Sequence, residues 1–528
     1  MKVFFIFPNL NTVEGFNHGV ADLSGGLKAH GHETKLLNIN EHLYPIPTSA
    51  EILKLVRDYQ PDVLCFSVMT QQYKYAVKIS KMIREEFPSV PQVFGGVHAS
   101  MVPEEVAKDG YFDYIGVGEC DNALPELVDK MAEGKDTTNV RNIWAKKEGG
   151  EWVRNPVGPY PDLKIIAPKD YEIFDLEHML VAKSHWLSIL TSRGCPYRCT
   201  YCFNHEVTDR YREEGGFAPK DYLRHYPIET IIGEIEDLHK KYDPISMVIF
   251  DDDLFTLNKQ YVIDFCRQYQ KSFVKTPWVV NSHVQTFTRP VAQAMKDANC
   301  LIAKFGVESG SHRIRKEVLD RYMTNEKIIQ AFDIAYEVGL HTSAFLMFGL
   351  PYETRKEIQE TIDLIARIRA GRFRWSIFFP FPGTKSHKIC IDGDMIDQDR
   401  MDNLDNYFDA SCLKFDPDTD LFIRKCQKAL SWYINAKSDM PTADFYAKKV
   451  EEIEKLNLKE WEKRALTIKD EDKEYSDRFL KEGKDHYALR YLDVMAVRST
   501  WIKWEEDLEK EKPHAAREWR SIPAPAQA

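Results

Sequence analysis

Two successive series of strand-length apolar segments, each segment separated from the next by an amphipathic helical stretch, restrict the folds open to this chain more than any other feature. The first series reads "KVFFIF", "ETKLLNI", "DVLCFSVM", "PQVFGG" and "FDYIGVGE", with helical stretches such as Tyr73 to Phe87 between them. Strict alternation of this kind predicts a parallel sheet with helices on both faces. Five strands over that length suit a flavodoxin-like (Rossmann-type) α/β domain, which binds ligands beyond the carboxyl ends of its strands. The second series reads "WLSILTS", "ISMVIFDDD", "PWVVNSH", "CLIAKFGVESG", "SAFLMFG" and "WSIFFPFPG". Six βα units without a doubly wound switch predict a partial (β/α)6 TIM-like barrel, with function at the strand C-termini. The division expected is 1–140 for the first domain, 141–184 for a Pro- and Gly-bearing linker with room for a β-hairpin, and 185–390 for the barrel. Residues 391–528 form a mainly helical C-terminal region whose last stretch, "IPAPAQA", is expected to be disordered.

At 43% hydrophobic and 29% charged over 528 residues, the chain has ample material for cores. It contains no apolar run of about 18 residues, so no membrane span is expected. The start "MKVFFIFPNL" lacks the features of a signal peptide and reads as a first strand of a cytoplasmic protein. A net charge of −11 without a dense Lys/Arg block argues against nucleic acid as partner.

Three of the ten cysteines, Cys195, Cys199 and Cys202, fall within "SRGCPYRCTYC", immediately after a predicted barrel strand. The others (Cys65, Cys120, Cys266, Cys300, Cys390, Cys412 and Cys426) are scattered and read as buried small hydrophobes. Such clustering does not suit a disulfide framework; it suits a metal site in a reducing cytoplasm. His205 could complete a Cys3His zinc site. Alternatively, three thiolates hold a [4Fe–4S] cluster and leave one iron open to a small molecule.

The C-x3-C-x2-C spacing, with Tyr201 before the last cysteine, resembles the radical S-adenosylmethionine (radical SAM) superfamily. The resemblance covers about Leu187 to Gly383 and implies that the open iron chelates S-adenosylmethionine, which the cluster cleaves to a 5′-deoxyadenosyl radical. It implies cosubstrate contacts at Tyr201, Phe203, Asp251, Asp252, Ser282, Glu308, Ser309 and Gly349, each on or beside a strand tip. Asp251 and Asp252 stand in "FDDDLFT", where the superfamily more often carries Gly-Gly-Glu. For Glu308 a structural pairing with Arg313 or Lys304 is the competing reading, and for the aspartates a helix cap.

The front domain joined to such a barrel resembles the cobalamin-binding subgroup. The carriers are "SVMT", "GGVHAS" and "GVGECD", which place Ser67, Thr70, Gly95, Gly96, His98, Gly118 and Glu119 at strand ends as implied cobalamin contacts. Plain turn chemistry is the competing reading for the glycines. The Asp-x-His-x-x-Gly pattern of many cobalamin proteins is absent, and His18, directly before Gly19, is not assigned as a cobalt ligand.

The resemblance implies a cobalamin-dependent radical methyltransferase acting on an unactivated carbon of a small or medium-sized metabolite, through the deoxyadenosyl radical and methylcobalamin. An electron donor such as flavodoxin or ferredoxin is the implied partner. A cyclase or oxidoreductase of the same architecture without methyl transfer is the alternative, and a non-catalytic cobalamin and iron–sulfur binding protein a third. The aromatics Trp432, Tyr433, Tyr446, Trp461, Tyr487, Tyr491, Trp501 and Trp504 could line an apolar pocket but read more simply as helix-packing residues.

Overall fold

The computed structural model describes residues 1–403 and 410–502, so the expectation for "IPAPAQA" lies outside the described residues. Its first sheet contains β1 (Lys2–Pro8), β2 (Glu33–Ile39), β3 (Val63–Ser67), β4 (Gln92–Gly95), β5 (Tyr114–Gly116), β6 (Ile143–Lys146) and β7 (Trp152–Arg154). The order is β2-β1-β3-β4-β5-β6-β7, and the first five are parallel. That is the flavodoxin-like order, whose switch point falls between β1 and β3. β1 shows why the strands read as continuous apolar runs: Val3, Phe5 and Phe7 enter the core on one face, Phe4 and Ile6 the core on the other.

β6 extends this sheet antiparallel to β5 and β7 antiparallel to β6, so the stretch read as a linker contributes two strands to the front sheet. The chain after them packs closely as well. Asp170 accepts from Ser24 Oγ at 2.6 Å and Lys28 Nζ at 2.7 Å, and a Cβ at Gly25 would stand 2.1 Å from the Pro168 carbonyl oxygen.

The second sheet is built from β8 (Trp186–Ile189), β11 (Met247–Phe250), β12 (Trp278–Ser282), β13 (Cys300–Glu308), β14 (His341–Phe348) and β15 (Arg372–Ile377), all parallel. Between β8 and β11 lie β9 (Ser192–Arg193) and β10 (Arg224–His225), a short antiparallel pair beside the cluster loop. β16 (Tyr487–Leu489) and β17 (Met495–Arg498) close the list of strands; β17 pairs antiparallel with β15, and β16 with β17. Among the described residues, the C-terminal region is therefore mainly helical up to Lys481 and then adds a hairpin that lengthens the barrel sheet. Short alternating segments near a charged helical run explain why periodicity missed it.

Alternation sorts the barrel's side chains. Leu187, Ile189, Val248, Phe250, Ala303, Phe305, Phe373 and Trp375 face the helices in one large core, and Trp186, Met247, Ile249, Val279 and Ile302 face the lumen. Trp432, Tyr433, Tyr446, Trp461 and Tyr487 belong to the helix-side core, with Trp432 Nε1 donating to Asp472 Oδ1 at 2.9 Å. Tyr491 is exposed, and Trp504 lies outside the described residues. Among the described residues, no helix is long and apolar enough to cross a membrane.

Candidate active site between the front sheet and the barrel mouth

The C-terminal edge of the front sheet faces the strand tips of the barrel across a cavity of about 410 Å³. Front-sheet residues give it apolar walls, among them Phe5, Phe7, Val68, Val93 and Leu124; Phe203, Asn204, Asp251 and Asp253 enter from the barrel. Ser67, Gly95, Gly96, Gly118 and Glu119 line it, and Ser67 Oγ accepts from Asn17 Nδ2 at 3.3 Å. Thr70 and His98 do not line it. They meet each other at 3.3 Å, and the His98 ring packs 4.3 Å from Tyr73, with burial holding its pKa down at about 4. His98 is therefore a neutral scaffold histidine.

Two glycines are required by the protein's own packing. Gly96 has φ +97°, and a Cβ there would stand 2.6 Å from Val68 N; Gly118 has φ +76°, and its Cβ would stand 2.6 Å from Tyr211 Oη. Tyr211 belongs to the helix Phe203–Gly215 that follows the last cysteine; its hydroxyl accepts from the Glu119 N–H at 2.9 Å. The helix after the cysteines is thus seated, through its third turn, on the front sheet's "GVGE" loop.

The cluster loop is pinned from both ends. Cys202 N donates to Cys199 O at 3.0 Å, Thr200 N to Leu319 O at 3.1 Å, and Ser386 N to Thr200 O at 2.9 Å. Burial, the largest effect, pushes the Cys195 thiol up to about 11 and the Cys202 thiol up to about 12, so the loop alone favours protonated sulfur. A cation that replaces those protons removes that penalty, which is the donor chemistry an iron–sulfur cluster needs. The thiols lie close enough to act on one another electrostatically. Among the described residues, no three His, Cys, Asp or Glu side chains converge on one metal ion; thiolates of a cube each take a separate iron and need not converge. His205, the fourth ligand of the zinc reading, is turned to the Cys199 carbonyl at 3.1 Å through Nδ1 and to the Glu206 carboxylate at 2.8 Å through Nε2.

Beside the loop lies a buried polar set. Arg321 Nη1 donates to Cys199 Sγ at 3.3 Å and to the Tyr201 hydroxyl at 3.1 Å; that hydroxyl donates to Glu308 Oε1 at 3.1 Å. Arg321 Nε is buried without a partner. Glu308 sits at φ +65° with its side chain folded back over Gly306, where a Cβ would meet Glu308 Oε1 at 2.4 Å. Burial raises the Glu308 pKa. Neither sequence-level partner for Glu308 is used, since Arg313 pairs with Glu357 at 2.7 Å.

The structure divides the remaining strand-tip residues between site and scaffold. Asp251 lines the cavity and lies 3.3 Å from His18 Nε2; Asp253 lines it near Cys195 and Cys202 and accepts from Asn204 Nδ2 at 3.0 Å. Asp252 is fully buried and accepts from Thr191 N at 3.0 Å and Thr191 Oγ1 at 2.6 Å, tying strand tips together. Ser282 shares the helix-side face with Val280, and its Oγ is buried without a partner; His283, one residue on, stacks 4.3 Å from Tyr197 inside the cysteine loop. Ser309 is fully buried in a turn, accepting from Ser311 N at 3.2 Å. The Gly349 N–H (φ +73°) is taken by Glu353 Oε2 at 2.8 Å, so it is not free to donate elsewhere.

Within the aspartate run, sequence reasoning assigned Asp251 and Asp252 and left Asp253 unassigned; it missed Asn204, Arg321 and Arg193. Arg193, just ahead of the cysteines, joins the two halves of the molecule: it contacts Asp22 at 2.7 Å, Asp121 at 2.8 Å and Glu119 at 2.8 Å. Arg224 also pairs with Glu119, and Lys169 lies 3.4 Å from Asp22. Its signal was present, since a basic residue inside a cysteine motif at a strand tip has few structural reasons to be there. Arg321 had no local signal; it reaches the loop only through the fold.

Comparison with known proteins agrees with this geometry. Residues 189–365 match the family profile of the radical SAM superfamily, and residues 12–128 that of the B12 binding domain. An uncharacterized methyltransferase of Pyrococcus horikoshii is 27% identical over 369 residues, covering 69% of this chain and 76% of that protein. The anaerobic magnesium-protoporphyrin IX monomethyl ester cyclase of Rubrivivax gelatinosus is 24% identical over 397 residues, covering 72% and 68%. The cobalamin-dependent S-adenosylmethionine radical enzyme OxsB, solved with aqua-cobalamin and S-adenosylmethionine, superposes with a TM-score of 0.65 at 17% identity over 91% of this chain and 72% of that one. The chain thus joins a B12 binding domain to a radical SAM domain, the make-up of the cobalamin-binding radical S-adenosylmethionine family, and that pair of domains implies a [4Fe–4S] cluster, S-adenosylmethionine and cobalamin as cofactors.

Proposed function

We propose that this protein transfers a methyl group to an unactivated carbon of a small or medium-sized metabolite. When bound, the cluster with S-adenosylmethionine supplies a hydrogen-abstracting radical and cobalamin carries the methyl group, so the protein's contribution is placement and exclusion of water. Cys195, Cys199 and Cys202 would hold three irons. The Arg321 guanidinium, with its unpartnered Nε, is suited to the cosubstrate's carboxylate, and the Asp253 carboxylate beside Cys195 and Cys202 to its ammonium group. Glu308 and Tyr201 fix Arg321 in place. On the front sheet, the backbone at Gly95, Gly96 and Gly118 and the apolar walls around Phe5, Phe7 and Val68 would hold the corrin, with Ser67 and Asn17 as polar edges. Counting β6 and β7 with the front sheet moves the first domain limit from 140 to beyond Arg154, while limits near 185 and 390 fit this reading.

The observation that carries the proposal is the shared cavity: one space is bounded by the corrin-binding edge of the front sheet and by Phe203, Asn204, Asp251 and Asp253 of the cluster side. All ten cysteines are free thiols, which supports a reducing, cytoplasmic setting; an electron donor such as flavodoxin or ferredoxin is the partner that reduction of the cluster calls for. The test is anaerobic turnover of a metabolite extract with S-adenosylmethionine labelled in its methyl carbon. Label in a new product supports methyl transfer. Release of 5′-deoxyadenosine without label in any product contradicts it and favours the ring-forming chemistry named for the Rubrivivax relative.

A further inference from the structure

One residue of the front sheet holds the chain on both sides of the cysteine triplet. Ahead of Cys195, the Glu119 carboxylate accepts from Arg193 Nη1 at 2.8 Å. Beyond Cys202, the Glu119 N–H donates to the Tyr211 hydroxyl at 2.9 Å. Arg193 stands opposite Arg224 in the β9–β10 pair, and Arg224 donates to the other oxygen of the same carboxylate. Glu119 thus brackets Cys195, Cys199 and Cys202 from outside the barrel.

The bracket has little slack. Between Arg193 and Cys195 stands only Gly194, at φ +92°, where a Cβ would meet the Tyr222 carbonyl oxygen at 2.4 Å. Arg193 Nη2 donates to Asp121 Oδ1 at 2.8 Å and to Asp22 Oδ2 at 2.7 Å. The Asp22 side chain is 2% exposed and that of Asp121 8%. Carboxylates so far from water are costly to leave unpaired, so the network admits few other arrangements. At its front end Glu119 follows Gly118, which lines the cavity, and Asp22 lies on the helix His18–Ala29, whose first two residues line it as well. The corrin-side wall and the cluster loop are therefore joined as one ion-paired unit.

We propose that Glu119 and Arg193 are positioning residues that couple the two cofactor sites, so that a corrinoid on the front sheet tightens S-adenosylmethionine binding at the cluster loop. The sign follows from ordering. A corrin resting on Gly118 would fix the "GVGE" loop and, through Glu119, both flanks of the cysteine triplet. A loop already held in place loses less freedom when the cosubstrate binds. Linkage makes the effect reciprocal, so the cosubstrate tightens the corrinoid by the same factor. Cosubstrate is then held best in molecules that also carry the methyl carrier.

The inference rests on the cofactor placement proposed above, and its test measures binding without turnover. Full-length protein, with its cluster reconstituted and kept oxidised, is dialysed to equilibrium against labelled S-adenosylmethionine with and without hydroxocobalamin. Hydroxocobalamin should lower the S-adenosylmethionine dissociation constant by about fivefold or more, the lower end of ordinary coupling between sites. S-adenosylmethionine should lower that of hydroxocobalamin by the same factor. In Glu119→Gln this ratio should collapse toward unity, whatever happens to each constant alone. Arg193→Lys, which keeps the charge and loses the forked donor, should fall between the two. A purely structural role would weaken each constant and leave the ratio unchanged. Equal S-adenosylmethionine affinity with and without hydroxocobalamin overturns the inference. So does a ratio that survives both substitutions, because the cofactors would then act on each other directly. A protein that takes up no corrinoid refutes the placement, and the inference with it.

Discussion

The two walls of the cavity are built by different means. On the barrel wall, chemistry is carried by side chains on one loop and its immediate supports: Cys195, Cys199 and Cys202, with Arg321, Tyr201, Glu308 and Asp253 around them. On the front wall it is carried by backbone edges and apolar rings drawn from several loops, and the charged groups there, Asp22, Glu119 and Asp121, are engaged by Arg193 in an interdomain ion network. A small, charged centre needs specific ligands. A large, flat one needs surface and close backbone approach.

That contrast predicts where substitutions hurt. On the barrel wall, Cys199→Ser should abolish the iron–sulfur absorbance and all reductive cleavage of S-adenosylmethionine; a variant that keeps both would break the comparison outright. Arg321→Gln removes the guanidinium that holds Tyr201 and faces Glu308. It should weaken cosubstrate binding by about 100-fold, in line with roughly 3 kcal/mol for a buried charged partner, as read by equilibrium dialysis.

Between the walls, Arg193→Ala leaves Asp22, Glu119 and Asp121 without their shared guanidinium. The expected cost is about 3–5 kcal/mol in chemical denaturation, with Arg193→Lys recovering part of it. On the front wall, Gly96→Ala should cost about 1–3 kcal/mol and weaken corrinoid binding, because its φ and the Val68 backbone leave no room for a Cβ. Ser67→Ala should change corrinoid affinity much less; a larger effect from Ser67 than from Gly96 would reverse the side-chain against backbone distinction.

The smallest effect is a pH dependence. His98 is held neutral with a folded pKa of about 4 against about 6.5 unfolded, so the unfolded chain takes up its proton first as the pH falls. Stability contributed by neutral His98 is complete above about pH 6.5 and is lost progressively below it, by about 1 kcal/mol at pH 5.5. His98→Gln should flatten the denaturation midpoint over that range.

The same contrast explains what could be read from the sequence. Cysteine spacing after a strand exposes the metal centre because its ligands are local in the chain, and periodicity exposes the parallel strands because Phe4 to Phe7 bury both faces. The cosubstrate contacts were legible only in part. Asp251 faces the cavity, but Asp252 and Ser309 are spent on holding strand tips and turns, and adjacent residues on a strand end point opposite ways. Arg321 reaches the cluster from beyond β13, a relation no local pattern carries. On the front wall the glycine motifs were legible as positions, but the reason for Gly96 and Gly118 is the approach of Val68 and Tyr211, which is visible only in three dimensions. The hairpins β6–β7 and β16–β17 were hidden in polar, short segments whose pairing depends on the neighbouring sheet edge.

The account rests on an iron–sulfur cube and a corrin facing each other across one cavity. Its most direct test is low-temperature electron paramagnetic resonance of the full-length protein loaded with cob(II)alamin and a reduced cluster. A spin–spin interaction between the two centres, lost in Cys199→Ser, is the predicted result; two independent spectra, or a cobalt signal beside a pocket that holds zinc and no iron, would contradict it.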